Sequence, residues 1–508
     1  MSSADRIATL EALVAGLLEQ VARLTAEVER LKPFEARVAV LEAENAALKA
    51  ENAALKEKLA KSSRNSSKPP SSDGPKEKAE RRSKKPTGRA AGGQLGHPKH
   101  ERPAWPAEKV NKRVVLRPKQ CEGCASQLVG EDPEPHRHQV FDLPKVEPIV
   151  TEFVQHSLRC KDCGHVTRAP LPAGVPRRIF GPSVDAAIGY LMGVHKLGKR
   201  GAVEALFDLY GLPISVGATV DSQREVSEAL AEPYHEIVTH AQDAPVKNAD
   251  ETSWVEGKGK KARAWLWTLV TTHAIVFMIQ KTRATNGAIK LLLNGKTRIG
   301  ELVFGVLGTD RHGAYNFWPL RCRQFCWSHL IRDFMAISER TGASGRIGTQ
   351  LIAETDRMFG WWHRVRDGTL SRASFRVYMR SLSARVEALL TEGVERGDKK
   401  TARTCAKLLK AKVALWTFVR VDGVEPTNNS AERAVRHGVI IRKVSGGTKS
   451  EGGSRFVERI LTARATLRLQ RRPILPFLQE ACEARLRRTA PPSLLPLLVA
   501  ARPLRIAA

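Results

Sequence analysis

Leu10, Leu17, Leu24 and Leu31 recur at every seventh position, and Val14, Val21 and Val28 follow the first three at the complementary heptad position. A repeat of this kind draws one narrow apolar stripe along a helix, the seam of a coiled coil. Pro33 interrupts the seam. It resumes in a new phase through Phe34, Leu41, Leu48 and Leu55, with Val38, Asn45, Asn52 and Leu59 at the partner position. Amides at seam positions give up stability for register and favour a parallel pair. Residues 1–60 therefore read as an oligomerisation arm that makes the protein at least a homodimer. The plainer alternative is an amphipathic helix packed on its own chain. From Lys61 the pattern stops: KSSRNSSKPPSSDGPKEKAERRSKK carries almost no large apolar residue and predicts a disordered basic linker over 61–110. A phosphate-binding tail and a passive tether both fit it.

Further on, HQVFDLPKVEPIVTEFVQHSLRC has the β-branched alternation of short strands, within a small module spanning 111–178. In RGAVEALFDLYGLPISVGATVDSQREVSEAL the pattern predicts a helix ending near Tyr210, a turn through Gly211 and Pro213, and a second helix capped by Ser215. That is helix-turn-helix logic, within a helical region over 179–240. An ordinary helical hairpin reads the same way; if the segment meets DNA, Gln223 and Arg224 face the groove.

PVKNADETSW, ARAWLWTLVTT and AIVFMIQ then read as strands, followed by a helix over ATNGAIKLLLNG and a strand in LVFGVLGTD. The order βββαβ is that of a ribonuclease-H-like sheet, which places Asp250 in the first strand and Asp310 at the end of the fourth, on neighbouring strands. The catalytic domain would span 241–470. Helical periodicity in ASFRVYMRSLSARVEALLTEGVERG and KTARTCAKLLKAKVALWTFV predicts an all-α insertion over about 328–420, and 471–508 closes the chain as a helical tail. The fold class is thus α/β multidomain: coiled coil, zinc ribbon, helix-turn-helix-like helices, and a ribonuclease-H-like core with an all-α insertion.

Composition sharpens the partner. The 508 residues hold 83 Lys and Arg against 53 Asp and Glu, a net charge of +30. Such a field attracts polyanions: double-stranded DNA is the first to consider and an anionic membrane surface is the competing partner. No apolar run approaches the ~20 residues that span a bilayer, and MSSADRIATLEAL carries acids where a signal peptide needs a basic start. A cytoplasmic, nucleoid-associated protein with no membrane role is the expectation. Among its 8 Cys are CEGC, Cys121–Cys124, and CKDC, Cys160–Cys163. In a reducing compartment four thiolates in two knuckles suit a closed tetrahedral zinc site; a redox dithiol and unliganded thiols are the alternatives. His136, His138 and His165 lie nearby and read as surface residues.

In PTNNSAERAVRHGVIIRK a lone carboxylate, Glu432, stands among Arg433, Arg436, Arg442 and Lys443. Locally it reads as the third helical residue after an Asn429 cap, closing a capping box. Functionally it offers the third carboxylate that a two-metal phosphoryl-transfer site needs beside Asp250 and Asp310, with the surrounding cations holding DNA. CWSHLIRDF sets Cys326 and His329 one helical turn apart, incomplete as a metal site and better read as packing, with His329 a candidate to touch DNA.

The linker SSRNSSKPPSSDG, the CxxC pairs, NADETSW, GTDRHGAYN, CWSHLIRDF and TNNSAERAVR, in that order behind a coiled coil, resemble the insertion-sequence-66 family of bacterial transposases over nearly the whole chain. The resemblance implies a DDE transposase with a ribonuclease-H-like core. Asp250, Asp310 and Glu432 match its metal-binding triad, with two Mg2+ (or Mn2+) per site, structural Zn2+, DNA ends and target as substrates, and accessory proteins of the same element as partners. Where many members read Asp-Asn-Asn, this chain has Thr427-Asn428-Asn429. A non-enzymatic DNA-binding regulator explains the charge but not the three spaced acids. A nuclease of the same fold, cleaving without joining, explains both.

Overall fold

The computed structural model describes residues 3–62, 64–66, 104–257, 259, 262–293 and 305–496. Most of the predicted linker over 61–110 and the end of the predicted C-terminal tail lie outside them. The chain forms two compact units, one of residues 1–83, 329–371 and 381–409, the other of 84–328, 372–380 and 410–508.

The first unit begins with α1, Ser3–Ala60, a single helix of 58 residues. It continues through Pro33, so the break predicted there is a change of seam phase and not of backbone. Leu10, Val14, Leu17, Val21, Leu24, Val28 and Leu31 are all exposed along it.

In the second unit residues 104–178 hold one small hairpin, β1 (Ser157–Arg159) against β2 (Val166–Arg168). The strands predicted upstream do not form. The apolar Val140, Leu143, Ile149, Val150 and Val154 of this stretch are exposed, and a β-branched run makes a strand only when one face has something to cover it. Helices α2 (Pro182–Gly189), α3 (Lys199–Tyr210), α4 (Val216–Ala229) and α5 (Ala231–Asp243) follow. α3 stops at Gly211, whose φ of 63° is the left-handed cap that glycine adopts without strain. Ser215 caps α4, its hydroxyl accepting from Ala218 N at 3.1 Å.

A five-stranded sheet forms the centre of this unit. It comprises β3 (Val246–Val255), β4 (Arg263–Val270), β5 (Ile275–Gln280), β6 (Val306–Thr309) and β7 (Arg323–Phe325), with helix α6 (Thr285–Leu293) between β5 and β6. The spatial order is β5-β4-β3-β6-β7, the first three antiparallel and the last two pairings parallel. α7 (Trp327–Ser338) leaves the end of β7. Three long helices follow, α8 (Gly342–Arg366), α9 (Arg372–Arg396) and α10 (Lys399–Lys410). Within the first unit α8 and α9 are tied by Arg385, whose guanidinium grips both oxygens of Glu354 at 3.0 and 2.9 Å.

After the short α11 (Thr417–Arg420) the chain returns to the sheet as α12 (Asn429–Ser445), α13 (Glu451–Leu469) and α14 (Ile474–Arg487). α12 lies against β3 and β4 at a glycine: a Cβ on Gly438 would stand 1.9 Å from Leu266 Cδ2. α13 closes the open edge of β5. The outward N–H groups of Ile275 and Phe277 donate to Thr466 and Thr462 at 3.1 and 3.0 Å, and that of Ile279 to Glu458. The match is geometric, since four helical residues rise about 6 Å and two strand residues about 6.6 Å. Side chains at i, i+4 and i+8 thereby satisfy alternate strand amides that would otherwise be buried unpaired.

Candidate active site

β3 supplies two adjacent acids. Positions 247, 249 and 251 are buried on one face, while 248, 250 and 252 are partly open on the other, so Asp250 and Glu251 part company at once. Asp250 faces the side on which α12 packs. Asp310 follows directly on β6, the parallel neighbour of β3, and Glu432 comes from the first turns of α12.

The three carboxylates act on one another. Asp250 titrates well above the usual carboxylate range, driven up by burial, then by Glu251 and Asp310, and further by Glu432, against a backbone N–H of Glu251 that lowers it. The largest charged influences on it are thus all acids. Among the described residues the three carboxylates do not all lie within 4.8 Å of one another.

The local helix cap differs from the sequence reading. Asn428, not Asn429, is the cap residue, its side chain makes no capping bond, and Glu432 is the fourth helical residue, its N–H donating to Asn428 O at 3.1 Å. No capping box forms. Asn428 is drawn elsewhere: Nδ2 donates to Ala249 O at 2.8 Å, beside Asp250, and its backbone N–H points at Cys326 Sγ at 3.1 Å. Asn428 is only 1 % exposed, and its Oδ1 is buried with no hydrogen-bond partner. An unpartnered amide oxygen is among the donors that a hard divalent cation takes.

Behind this pole lies a network that sequence reasoning missed. Glu251 accepts from Tyr315 Oη at 2.6 Å and from Arg283 Nε at 3.0 Å, with His312 Nδ1 at 3.8 Å. Burial, then the Glu251 charge and hydrogen bond, push the Tyr315 phenol well up, fixing it as a donor. Asp310 Oδ1 accepts from His312 N at 2.8 Å, and Arg323, buried beneath, donates to Asp310 O at 3.2 Å. The signal was present in the strand alternation, which puts Glu251 opposite Asp250, and in GTDRHGAYN, which supplies His312 and Tyr315.

The remaining candidates are spread more widely. Arg433, Arg436 and Lys443 are exposed on α12, whereas Arg442 turns inward to Thr252 and Ser253 at the end of β3. Arg224 is exposed on α4, paired with Asp221 at 2.9 Å, and Gln223 is half-buried beside it. His329 is half-buried in the first turn of α7. Each CxxC pair forms its own knuckle, with Ala125 N donating to Cys121 O and Gly164 N to Cys160 O. Hydrogen bonds from Ser126 pull the Cys124 thiol down, and backbone N–H groups of Cys163 and Asp162 pull down Cys160. Among the described residues no three of the four sulfurs lie within ligating distance of one another.

The sequence profile of the Transposase IS66 family matches residues 177–455, more than half the chain. The chain belongs to this transposase family. Its matched region holds all three carboxylates and the whole sheet. The profile of the zinc-finger binding domain of transposase IS66 matches residues 118–164, with all four CxxC cysteines inside it, and a family of unknown function, DUF6444, matches 6–103. Two uncharacterised proteins of Sinorhizobium fredii are similar to this family member. One, y4qI, is 25% identical over 75% of this chain and 74% of its own. The other, y4hP, is 25% identical over 33% of this chain and 31% of its own. Among the described residues no helix is long and apolar enough to cross a membrane.

Proposed function

We propose that this family member is a DDE transposase: it cleaves DNA at the ends of its insertion sequence and joins the freed 3′-hydroxyl to target DNA. The observation that carries this reading is the placement of Asp250 on β3, of Asp310 just after its parallel neighbour β6, and of Glu432 at the start of α12, which Asn428 ties to β3. Strand order and direction support a ribonuclease-H-like core, with α8 to α10 as its helical insertion. Asp250, Asp310 and Glu432 would hold two Mg2+ (or Mn2+), which supply charge neutralisation for phosphoryl transfer. Asn428 anchors the start of α12 to β3 and so fixes Glu432 relative to Asp250. Glu251, held by Tyr315 and Arg283, stiffens β3 from behind. The exposed Arg433, Arg436 and Lys443 attract the phosphate backbone.

In the same reading Cys121, Cys124, Cys160 and Cys163 hold one structural zinc. The donor set fits, and the downward-shifted thiols of Cys124 and Cys160 favour the thiolate form that zinc takes. The exposed seam of α1 supports self-association, at least to a dimer. The test is magnesium-dependent cleavage and joining of labelled element-end DNA by the full-length protein. Glu432→Gln and Asp310→Asn should each lower cleavage by about 10²-fold or more while DNA binding at matched salt persists. Cleavage by Glu432→Gln near the wild-type rate would remove Glu432 from the site.

A further inference from the structure

Arg464, in the middle of α13, is 5 % exposed, and its buried Nε has no hydrogen-bond partner. Among the described residues it makes no ion pair. Burying a guanidinium without an anion costs several kcal/mol, and the same helix shows the usual remedy, where buried Glu458 meets Arg455 at 3.0 Å. Nothing of that kind answers Arg464. Its neighbours are cations instead: Arg468 one turn on, and Lys196 from the segment that joins α2 to α3.

That segment is pressed onto α13. It passes through a π-helical turn, Tyr190–Val194, in which a Cβ on Gly193 would meet Ile460 Cγ1 at 2.2 Å, and it leaves Lys196 at a φ of 64°. That left-handed residue closes the end of the turn, where Leu197 N donates back to Leu191 O at 3.1 Å. His437 of α12 completes the group. Burial, then Arg464, Lys196 and Arg468, hold its imidazole neutral down to about 4. Burial and the same two arginines lower Lys196. No carboxylate figures in either set of influences. Lys196 also lines a groove of about 820 Å3, together with Lys199, Arg224, Lys449 and one acid, Glu228, which is itself paired with Arg485.

We propose that Lys196, Arg464 and Arg468, with His437 beside them, form a binding site for a phosphate of the DNA backbone, reached along the groove under α4. The inference rests on the reading that the protein handles DNA. An incoming phosphodiester supplies the missing anion, and the planar fork of a guanidinium suits its oxygens. Lys196 joins the groove beside Gln223 and Arg224 to this cluster, and His437 belongs to α12, the helix on which Glu432 also lies.

The test uses the full-length chain, a duplex of unrelated sequence, and separately inorganic phosphate. Arg464→Met should melt at the wild-type temperature or above it, because an unpaired buried charge has gone. It should bind the duplex about tenfold more weakly, with the slope of log Kd against log salt reduced by about one. Lys196→Gln and Arg468→Gln, at more open positions, should weaken binding in the same direction, and they keep the test decisive if Arg464→Met fails to fold. Unchanged affinity and salt slope in these two overturns the site. So does phosphate alone raising the wild-type melting temperature while duplex affinity ignores Arg464, which marks a free-anion site. Wild-type protein that binds no duplex sinks the functional reading as well, whereas binding indifferent to all three variants sinks only this one.

Discussion

Asp250 and Glu251, consecutive on β3, turn their carboxylates to opposite faces, and their surroundings differ in sign: Glu251 meets Arg283 and the Tyr315 hydroxyl, Asp250 meets Asp310 and Glu432. One acid is neutralised and holds the strand. Burial and the neighbouring acids push the carboxyl of the other well up.

Tyr315→Phe should therefore cost about 1–2 kcal/mol of stability, since a buried carboxylate loses a donor. Glu251→Gln should bring Asp250 back towards the usual carboxylate range, because Glu251 is the strongest of the acids acting on it. Denaturant unfolding measures the first and carboxyl NMR titration the second. An Asp250 titration indifferent to Glu251→Gln contradicts the electrostatic account.

The strands were legible because β-branched and aromatic runs bounded by turns occupy a sheet that is covered, and Ser215 and Gly211 marked helix ends by local chemistry. Where long-range contacts decide, the sequence misled. Asn428 became the cap because its side chain is spent on Ala249 across the site, a partner far away in the chain. Residues 138–156 are rich in β-branched and apolar side chains, yet among the described residues Val140, Leu143, Ile149, Val150 and Val154 stay exposed. The pairing of Glu251 with Arg283 and Tyr315 needed three segments folded together before it could be seen.

Stability should fall with rising pH over one window because of Glu458. Burial raises its carboxyl to about 7 from an ordinary 4.5. Between those values the unfolded chain has released a proton that the folded chain keeps, so folding is favoured below about 4.5 and loses up to about 3 kcal/mol as pH rises through 7. Glu458→Gln keeps an acceptor for Ile279 N and removes the titration. Its melting temperature should be flatter across that window, and a slope unchanged from wild type refutes the assignment.

Chelation, or Cys160→Ser, should loosen residues 104–178 to proteolysis and leave the sheet unit folded, because a thiolate zinc site holds its fold through the metal. Elemental analysis of the purified protein should give about one zinc per chain, as four thiolates close one tetrahedral site. Absence of zinc from protein prepared without chelator removes the site.

The exposed seam of α1 makes a prediction of its own. A peptide of residues 1–60 should sediment as a dimer or larger at micromolar concentration. Asn45→Val with Asn52→Val should raise its melting temperature while mixing its oligomeric states, since a paired seam would lose the amides that select a parallel pair. A monomeric peptide ends the idea.

Gly438 sets how closely α12 can approach the sheet, and so where Glu432 stands. A methyl there would lie 1.9 Å from Leu266 Cδ2, and Leu266 is wholly buried, so neither can move without displacing its neighbours. In an exposed helix Gly→Ala stabilises by about 1 kcal/mol. Here overpacking should reverse the sign, giving a net loss of about 1–3 kcal/mol. Leu266→Ala alone leaves a cavity and should cost about 2–5 kcal/mol. Combined, each change relieves the other, so the double variant should be more stable than the sum of the singles by 1 kcal/mol or more, by the arithmetic of about 0.5–3 kcal/mol for residues in contact. Cleavage reports the same geometry. Gly438→Ala should cut more slowly at unchanged DNA affinity because α12 is lifted from β3, and Leu266→Ala should restore part of the rate. Additive stabilities, with Gly438→Ala cutting at the wild-type rate, would show that the packing of α12 on β4 does not position Glu432.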